Sequence, residues 1–417
     1  MNITTLVKHP IVTLLAIILG LASAACIRPV QTQTPVATTQ MPTPVATPPQ
    51  VVEPVVILVV DSFSSTGLEV NSSSFAESDY LSEDTFCLTT PDGQGLYVYQ
   101  GIWETGEGVT ATHGALVYSE LEEILLQGDK SVNNAAEPIA DQLAETQDAA
   151  LPGMDWVTNI ELWQTTYGPL MLVAVDTQYW DPGVAANHIL NTIQAIDQGN
   201  WKLAEYDIQG AKGYVINMSF ALVPCRLLGG DGVALQEYLR DYLNLVKDPD
   251  EPWYFTSDSG GFVGVNCDLI RQDMGTRDLC QLFETPEDMT SKPVISVAAS
   301  GNVPGNHESY DPFPYPYMPG LFKNVVSVSA SDGNPGAGYS NPGEIQMLGI
   351  HPTTNVSGTS FAAPRFSLQA ALYLLRTEDL MCDGDFGSSS PPLNLNFFDN
   401  LDLSEATQRY CKDFNSP

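Results

Sequence analysis

The chain has 417 residues, 43% of them hydrophobic, so it can bury a core as one large domain or two small ones. Sixteen Lys and Arg stand against fifty Asp and Glu, a net charge of −34. That balance argues against nucleic acid and anionic membrane surfaces as electrostatic partners, and it reads first as a solvated acidic exterior.

The amino end carries a targeting pattern. Lys8 is the lone basic residue before the apolar run 11–21, which is short for a membrane span and gives way to small residues. Ala22-Ser23-Ala24-Ala25-Cys26 resembles a bacterial lipoprotein signal. The resemblance implies removal of 1–25 and a lipid on Cys26 that anchors an exported protein to the membrane at the cell surface. Ser23 stands where that pattern usually has Leu, so ordinary cleavage near Ala25, giving a secreted soluble form, is the competing reading.

With Cys26 set aside, the seven cysteines leave an even six in an exported chain, which points to disulfides. Several pairings are formally open. Cys267 with Cys280 and Cys382 with Cys411 are the local ones, leaving Cys87 with Cys225. No Cys/His spacing suggests zinc. Residues 26–54, rich in Thr, Pro, Gln and Val, cannot build a core. They read as an extended tether reaching at most about 80 Å at about 3.1 Å per residue.

Residues 55–60 are a β-branched, apolar run, the mark of a parallel strand buried on both faces. Asp61 closes it, at the end of a strand where α/β sheets place their active sites. Further strands are expected at 96–99, 157–163, 170–175, 213–218, 294–299 and 325–329. Helices are expected at 113–126, 184–198, 233–246 and 359–376. Alternation of this kind predicts a parallel α/β sheet. Residues 248–292, with Trp253, Tyr254, Phe255, Cys267 and Cys280, read as a disulfide-pinned insertion. The acidic turns at Asp248, Asp250 and Glu251 and at Asp383 and Asp385 offer oxygen ligands for a structural calcium. Neither has a strict calcium-loop pattern, so solvated turns are the better reading.

The chemistry concentrates in three places. In Gly358-Thr359-Ser360-Phe361-Ala362-Ala363-Pro364 a serine sits among small residues at a helix start. Free N–H groups and the positive end of the helix dipole then stand beside its hydroxyl. Alone, the run is also a plain N-cap on an Ala-rich helix. A serine nucleophile needs a base, and the base needs an orienting carboxylate. His113, followed by Gly114, opens the helix at 113–126, and Asp61 ends the first strand.

The order Asp61, His113, Ser360, with these local sequences, resembles the subtilisin-like serine proteases over residues 55–377. Gly213-Tyr214-Val215-Ile216-Asn217-Met218-Ser219-Phe220 is similar to the family's substrate-cleft strand. Val294-Ile295-Ser296-Val297-Ala298-Ala299-Ser300-Gly301-Asn302 is similar to the strand that delivers its oxyanion asparagine. The run 324–332 and Tyr339-Ser340-Asn341-Pro342-Gly343 fit the family's approach to the serine.

The resemblance implies a three-layer α/β subtilisin-like fold with a mainly parallel central sheet. It implies Ser360 as nucleophile, His113 as general base, Asp61 as orienting acid and Asn302 as oxyanion donor. Losing one such donor costs about 3 kcal/mol in subtilisin itself. Ser219, Phe220, Ala221, Ala299, Ser300 and Gly301 are the implied substrate-binding residues.

Some positions depart from the family's pattern. Phe63 follows Ser62 where the family has Gly, Ala115 follows His113-Gly114, Ala221 replaces a Gly, and Ser300 replaces an Ala. They bear on substrate preference more than on the reaction. No folded pro-domain fits residues 26–54.

The chain thus divides into a signal peptide (1–25), a lipidated tether (26–54), a catalytic domain (55–377) with its insertion (248–292), and a patternless extension (378–417). The expected protein is a monomeric, surface-tethered serine endopeptidase acting on polypeptides, with no cofactor required for its chemistry. An esterase or transpeptidase on the same triad is the competing enzyme. A degenerate subtilase serving as a surface binding module is the competing non-enzyme.

Overall fold

The structure, a computed structural model, describes residues 49–63, 85–89, 95–99, 103–104, 110–128, 138–146, 153–177, 182–199, 201–222, 254–256, 262–265, 267–270, 275–302, 316–332, 339–352 and 356–376. The chain divides into two units, Met1–Pro48 and Pro49–Pro417, and every described residue belongs to the second. The signal segment, Cys26 and the extension 378–417 lie outside the described residues. Among the described residues no helix is long and apolar enough to cross a membrane.

Eight strands form one sheet: β1 (Val55–Asp61), β2 (Ala140–Thr146), β3 (Val157–Thr165), β4 (Gly168–Asp176), β5 (Gly213–Met218), β6 (Val294–Ala299), β7 (Val325–Ser331) and β8 (Ile345–Leu348). Their order is β8-β7-β6-β5-β1-β4-β3-β2. The six strands from β8 to β4 are parallel. β3 returns antiparallel to β4, and β2 antiparallel to β3. The sheet is therefore mixed, with a parallel centre and an antiparallel edge.

Among the described residues four helices cover it: α1 (His113–Gln127), α2 (Pro182–Asp197), α3 (Gly275–Glu284) and α4 (Thr359–Arg376). Every residue of β1 is buried, because both faces of the sheet are covered. Val55, Ile57 and Val59 pack in one apolar cluster with Leu116 and Leu121 of α1 and Phe361 and Phe366 of α4. Val56, Leu58 and Val60 pack in the other with Ile189 and Ile193 of α2 and Leu279 and Phe283 of α3. The period of two along β1 thus assigns α1 and α4 to one face and α2 and α3 to the other.

The chain leaving β1 runs through α1 on the first face to the edge strands β2 and β3, on the flank where β4 then returns beside β1. The chain leaving β5 passes through α3 on the second face to β6 on the other flank. Connections therefore diverge at the carboxyl ends of β1 and β5, the kind of crevice where open α/β sheets bind ligands. Asp61 is the last residue of β1.

Several expectations change in detail. The tether does not extend to Pro54: Gln50–Val52 is a strand paired in parallel with Tyr206–Ile208, and Val52 is buried. Part of the segment read as an insertion contributes to the core, since α3 buries Leu279, Cys280 and Phe283. Cys267 and Cys280 are disulfide-bonded, tying α3 to the short turn Cys267–Leu269. The strand expected at 96–99 pairs with Thr85–Thr89 in a separate hairpin and not in the main sheet. The helix expected at 233–246, and Cys225, Cys382 and Cys411, lie outside the described residues.

Candidate active site

Asp61 follows Val59 on the α1/α4 face of β1 and is fully buried. Its carboxylate accepts the Ser62 N–H at 2.7 Å. The imidazole Nδ1 of His113 lies 2.8 Å from Oδ1 and 2.9 Å from Oδ2. Facing a carboxylate, Nδ1 takes the donor role, which leaves Nε2 as the acceptor.

His113 is the first residue of α1, capped by Thr112, whose hydroxyl accepts the Ala115 N–H at 3.3 Å. The Gly114 N–H donates to the Ser62 carbonyl at 2.9 Å, pinning the helix start to the loop after Asp61. A Cβ at Gly114 would lie 2.6 Å from that carbonyl oxygen, so only glycine permits the approach. Phe63 packs edge-on to Tyr118 of α1, which gives that unusual residue a place against the histidine helix.

Ser360 is the second residue of α4 and is partly exposed. The next residue, Phe361, holds its ring centroid 6.4 Å from that of His113, so the turn carrying Ser360 lies against the imidazole. Asn302 follows β6, and its Oδ1 accepts the Thr359 N–H at 2.9 Å, capping α4. The Thr359 hydroxyl accepts the Gly301 N–H at 3.1 Å in return. A Cβ built on Gly358 would lie 3.3 Å from Asn302 Nδ2 and 3.8 Å from the Ser360 nitrogen. Two N–H donors therefore border one small space beside the serine, kept open by Gly358. The N–H groups of a helix's first turn have no acceptor four residues back within the helix, and the Ser360 N–H is one of them.

The implied substrate-binding residues divide. Ala221 is partly exposed at the end of the β5 segment. Ser219 is buried and its Oγ accepts from Asn217 Nδ2 at 3.0 Å, while Phe220 belongs to the apolar cluster under α2 and α3. Ala299 is buried. Ser300 is buried too, and its hydroxyl donates to the Asn341 carbonyl at 2.8 Å. Gly301 has φ +96°, and a Cβ there would lie 2.4 Å from the Tyr317 ring.

Gly358 and Phe361 belong to the serine motif, but what they do shows only in three dimensions, and Arg365 escapes the sequence reading. Gly358 acts through the space it leaves, and Phe361 as the wedge between His113 and His351, whose ring it meets edge-on at 5.4 Å. Arg365 of α4 pairs with Glu120 of α1 behind the site. The available signal for Arg365 was a charge inside an otherwise small and apolar helical run.

Among the described residues no three His, Cys, Asp or Glu side chains gather to hold a metal ion. The acidic turns considered for calcium lie outside the described residues. No family model matches the chain, and no curated protein matches it significantly.

Proposed function

We propose that this chain is a subtilisin-like serine endopeptidase. The observation that carries the reading is the Asp61–His113 contact at the end of β1, with the Ser360 helix start packed against the imidazole. The six parallel strands, with the histidine and serine helices on one face, support the same family of folds.

In this mechanism His113 Nε2 takes the Ser360 hydroxyl proton as Oγ attacks the scissile carbonyl carbon. Asp61 holds the imidazole in its Nδ1–H tautomer and balances the imidazolium charge. The carbonyl oxygen becomes an oxyanion, and Asn302 Nδ2–H and the Ser360 N–H donate to it. His113 then returns the proton to the leaving amine, and an ester on Ser360 remains. Water attacks that ester with His113 again as base, releasing the acid and restoring the hydroxyl.

The small residues around Ser360 and the partly exposed Ala221 suit an extended polypeptide passing close to the backbone. A lipid on Cys26 would hold the enzyme at the cell surface, and detergent-phase partition of wild type but not of Cys26→Ser tests that anchor. The activity itself is tested by exposing a peptide library to the mature protein. Wild type cleaves internal peptide bonds and Ser360→Ala cleaves none; equal cleavage by both refutes the assignment.

A further inference from the structure

We propose that Glu120 and Arg365 are positioning residues, whose buried ion pair sets the register between the helix bearing His113 and the helix bearing Ser360. The inference rests on the triad reading above.

Arg365 Nε lies 2.6 Å from Glu120 Oε1, and both side chains are fully buried. Glu120 stands on α1 two turns beyond His113, and Arg365 stands on α4 five residues beyond Ser360. The Arg365 guanidinium also donates through Nη2 to the Ile350 carbonyl at 3.1 Å. The neighbouring His351 has its Nε2 3.2 Å from the Ser119 hydroxyl on α1. That hydroxyl donates to the Leu116 carbonyl at 2.9 Å, so it accepts from His351. Phe361 lies against both His351 and His113. The two helices and the segment around residue 350 thus meet at one polar junction directly behind the reacting groups.

Stability is a poor explanation for such a pair. Removing two charges from water is costly, and well-packed apolar replacements of similar volume are often as stable or more so. What apolar contacts do not supply is direction. Apolar surfaces slide over one another with little change in energy, whereas a close, buried ion pair loses much of its attraction when its two charges are drawn apart. Catalysis is sensitive to this kind of displacement: about 1 Å of misplacement can lower the rate about a hundredfold. A charge pair between α1 and α4 restrains the separation of His113 from Ser360.

The experiment replaces both partners together. Glu120→Leu/Arg365→Met keeps the approximate volume and leaves no buried charge unpaired. We expect a folded protein with a thermal midpoint near wild type. Its kcat should fall about ten- to a hundredfold with KM unchanged, and phosphonylation of Ser360 by a fluorophosphonate should slow in parallel. A folded double variant with wild-type kcat overturns the proposal while leaving the triad intact. If that variant does not fold, Arg365→Lys decides. It keeps the charge but loses the fork that reaches both Glu120 and the Ile350 carbonyl. A lower kcat at unchanged KM supports the proposal, and wild-type kcat overturns it. A wild type that fluorophosphonate does not label overturns the triad reading and this proposal with it.

Discussion

His113 Nδ1 faces both oxygens of Asp61, at 2.8 and 2.9 Å, and the carboxylate is fully buried. The geometry determines which ring nitrogen carries the proton. Asp61→Asn offers an amide donor to Nδ1 and favours the wrong tautomer. Its kcat on a peptide substrate should fall about ten-thousand-fold, the size known for the same exchange in a serine protease triad. A fall of less than tenfold means that Asp61 does not orient the base.

Asn302 serves two atoms with one side chain. Its Oδ1 caps Thr359, and its Nδ2 borders the space beside Ser360. Asn302→Ala removes both, so it should lower stability by about 1 kcal/mol and kcat by about a hundred- to a thousandfold at unchanged KM. Asn302→Asp keeps the cap acceptor and loses the donor. It should retain the thermal midpoint and lose kcat. If Asn302→Asp keeps wild-type kcat, the oxyanion donor lies elsewhere.

Gly114 lets α1 approach the loop after Asp61. Gly114→Ala forces a Cβ to 2.6 Å from the Ser62 carbonyl oxygen, and that contact is backbone, which has little room to move. Stability should drop by about 1–3 kcal/mol, and His113 should shift with its helix. Thermal unfolding and kcat should therefore both decline. An unchanged kcat in a stable Gly114→Ala protein contradicts the close packing of α1 on β1.

Glu161 on β3 is fully buried and hydrogen-bonded to Glu122 of α1, with Trp163 Nε1 donating to it at 3.0 Å. Burial first, and Glu122 second, push its pKa up to about 9. The folded protein holds this proton up to that pH, while the unfolded chain releases it in the ordinary carboxylate range. The folded state therefore binds more protons in between, and stability falls as pH rises through that window. The thermal midpoint should decline from about pH 5 to about pH 9, and Glu161→Gln should flatten the decline. A midpoint that rises over the same range in wild type contradicts the buried, protonated Glu161.

The parts of the fold that were legible are those where local chemistry and final environment agree. Val55–Asp61 reads as a buried strand because every residue in it is buried. The three candidate catalytic residues stand out through their neighbours: Asp61 after that strand, His113 before Gly114, Ser360 before Phe361-Ala362-Ala363. The missed elements are those where context overrides propensity. Ala140–Thr146 has the composition of a helix and forms an edge strand, held by its pairing with β3. Gly275–Glu284 carries Leu279, Cys280 and Phe283 at helical spacing, yet Cys267 and Cys280 drew attention to the segment as a disulfide-pinned insertion. Ile345–Leu348 is short and only partly buried, too brief to show a period. The Glu120–Arg365 pair joins residues far apart in sequence, and no spacing rule connects them.

The central claim is that Ser360 is an activated nucleophile. The most direct measurement is covalent labelling of the folded mature protein with a fluorophosphonate, followed by mass spectrometry of the modified peptide. One adduct is expected, on Ser360. It should be absent in Ser360→Ala and formed far more slowly in His113→Ala, since the two side chains act as a unit. A folded wild type that takes no label, or takes it on another residue, contradicts the account.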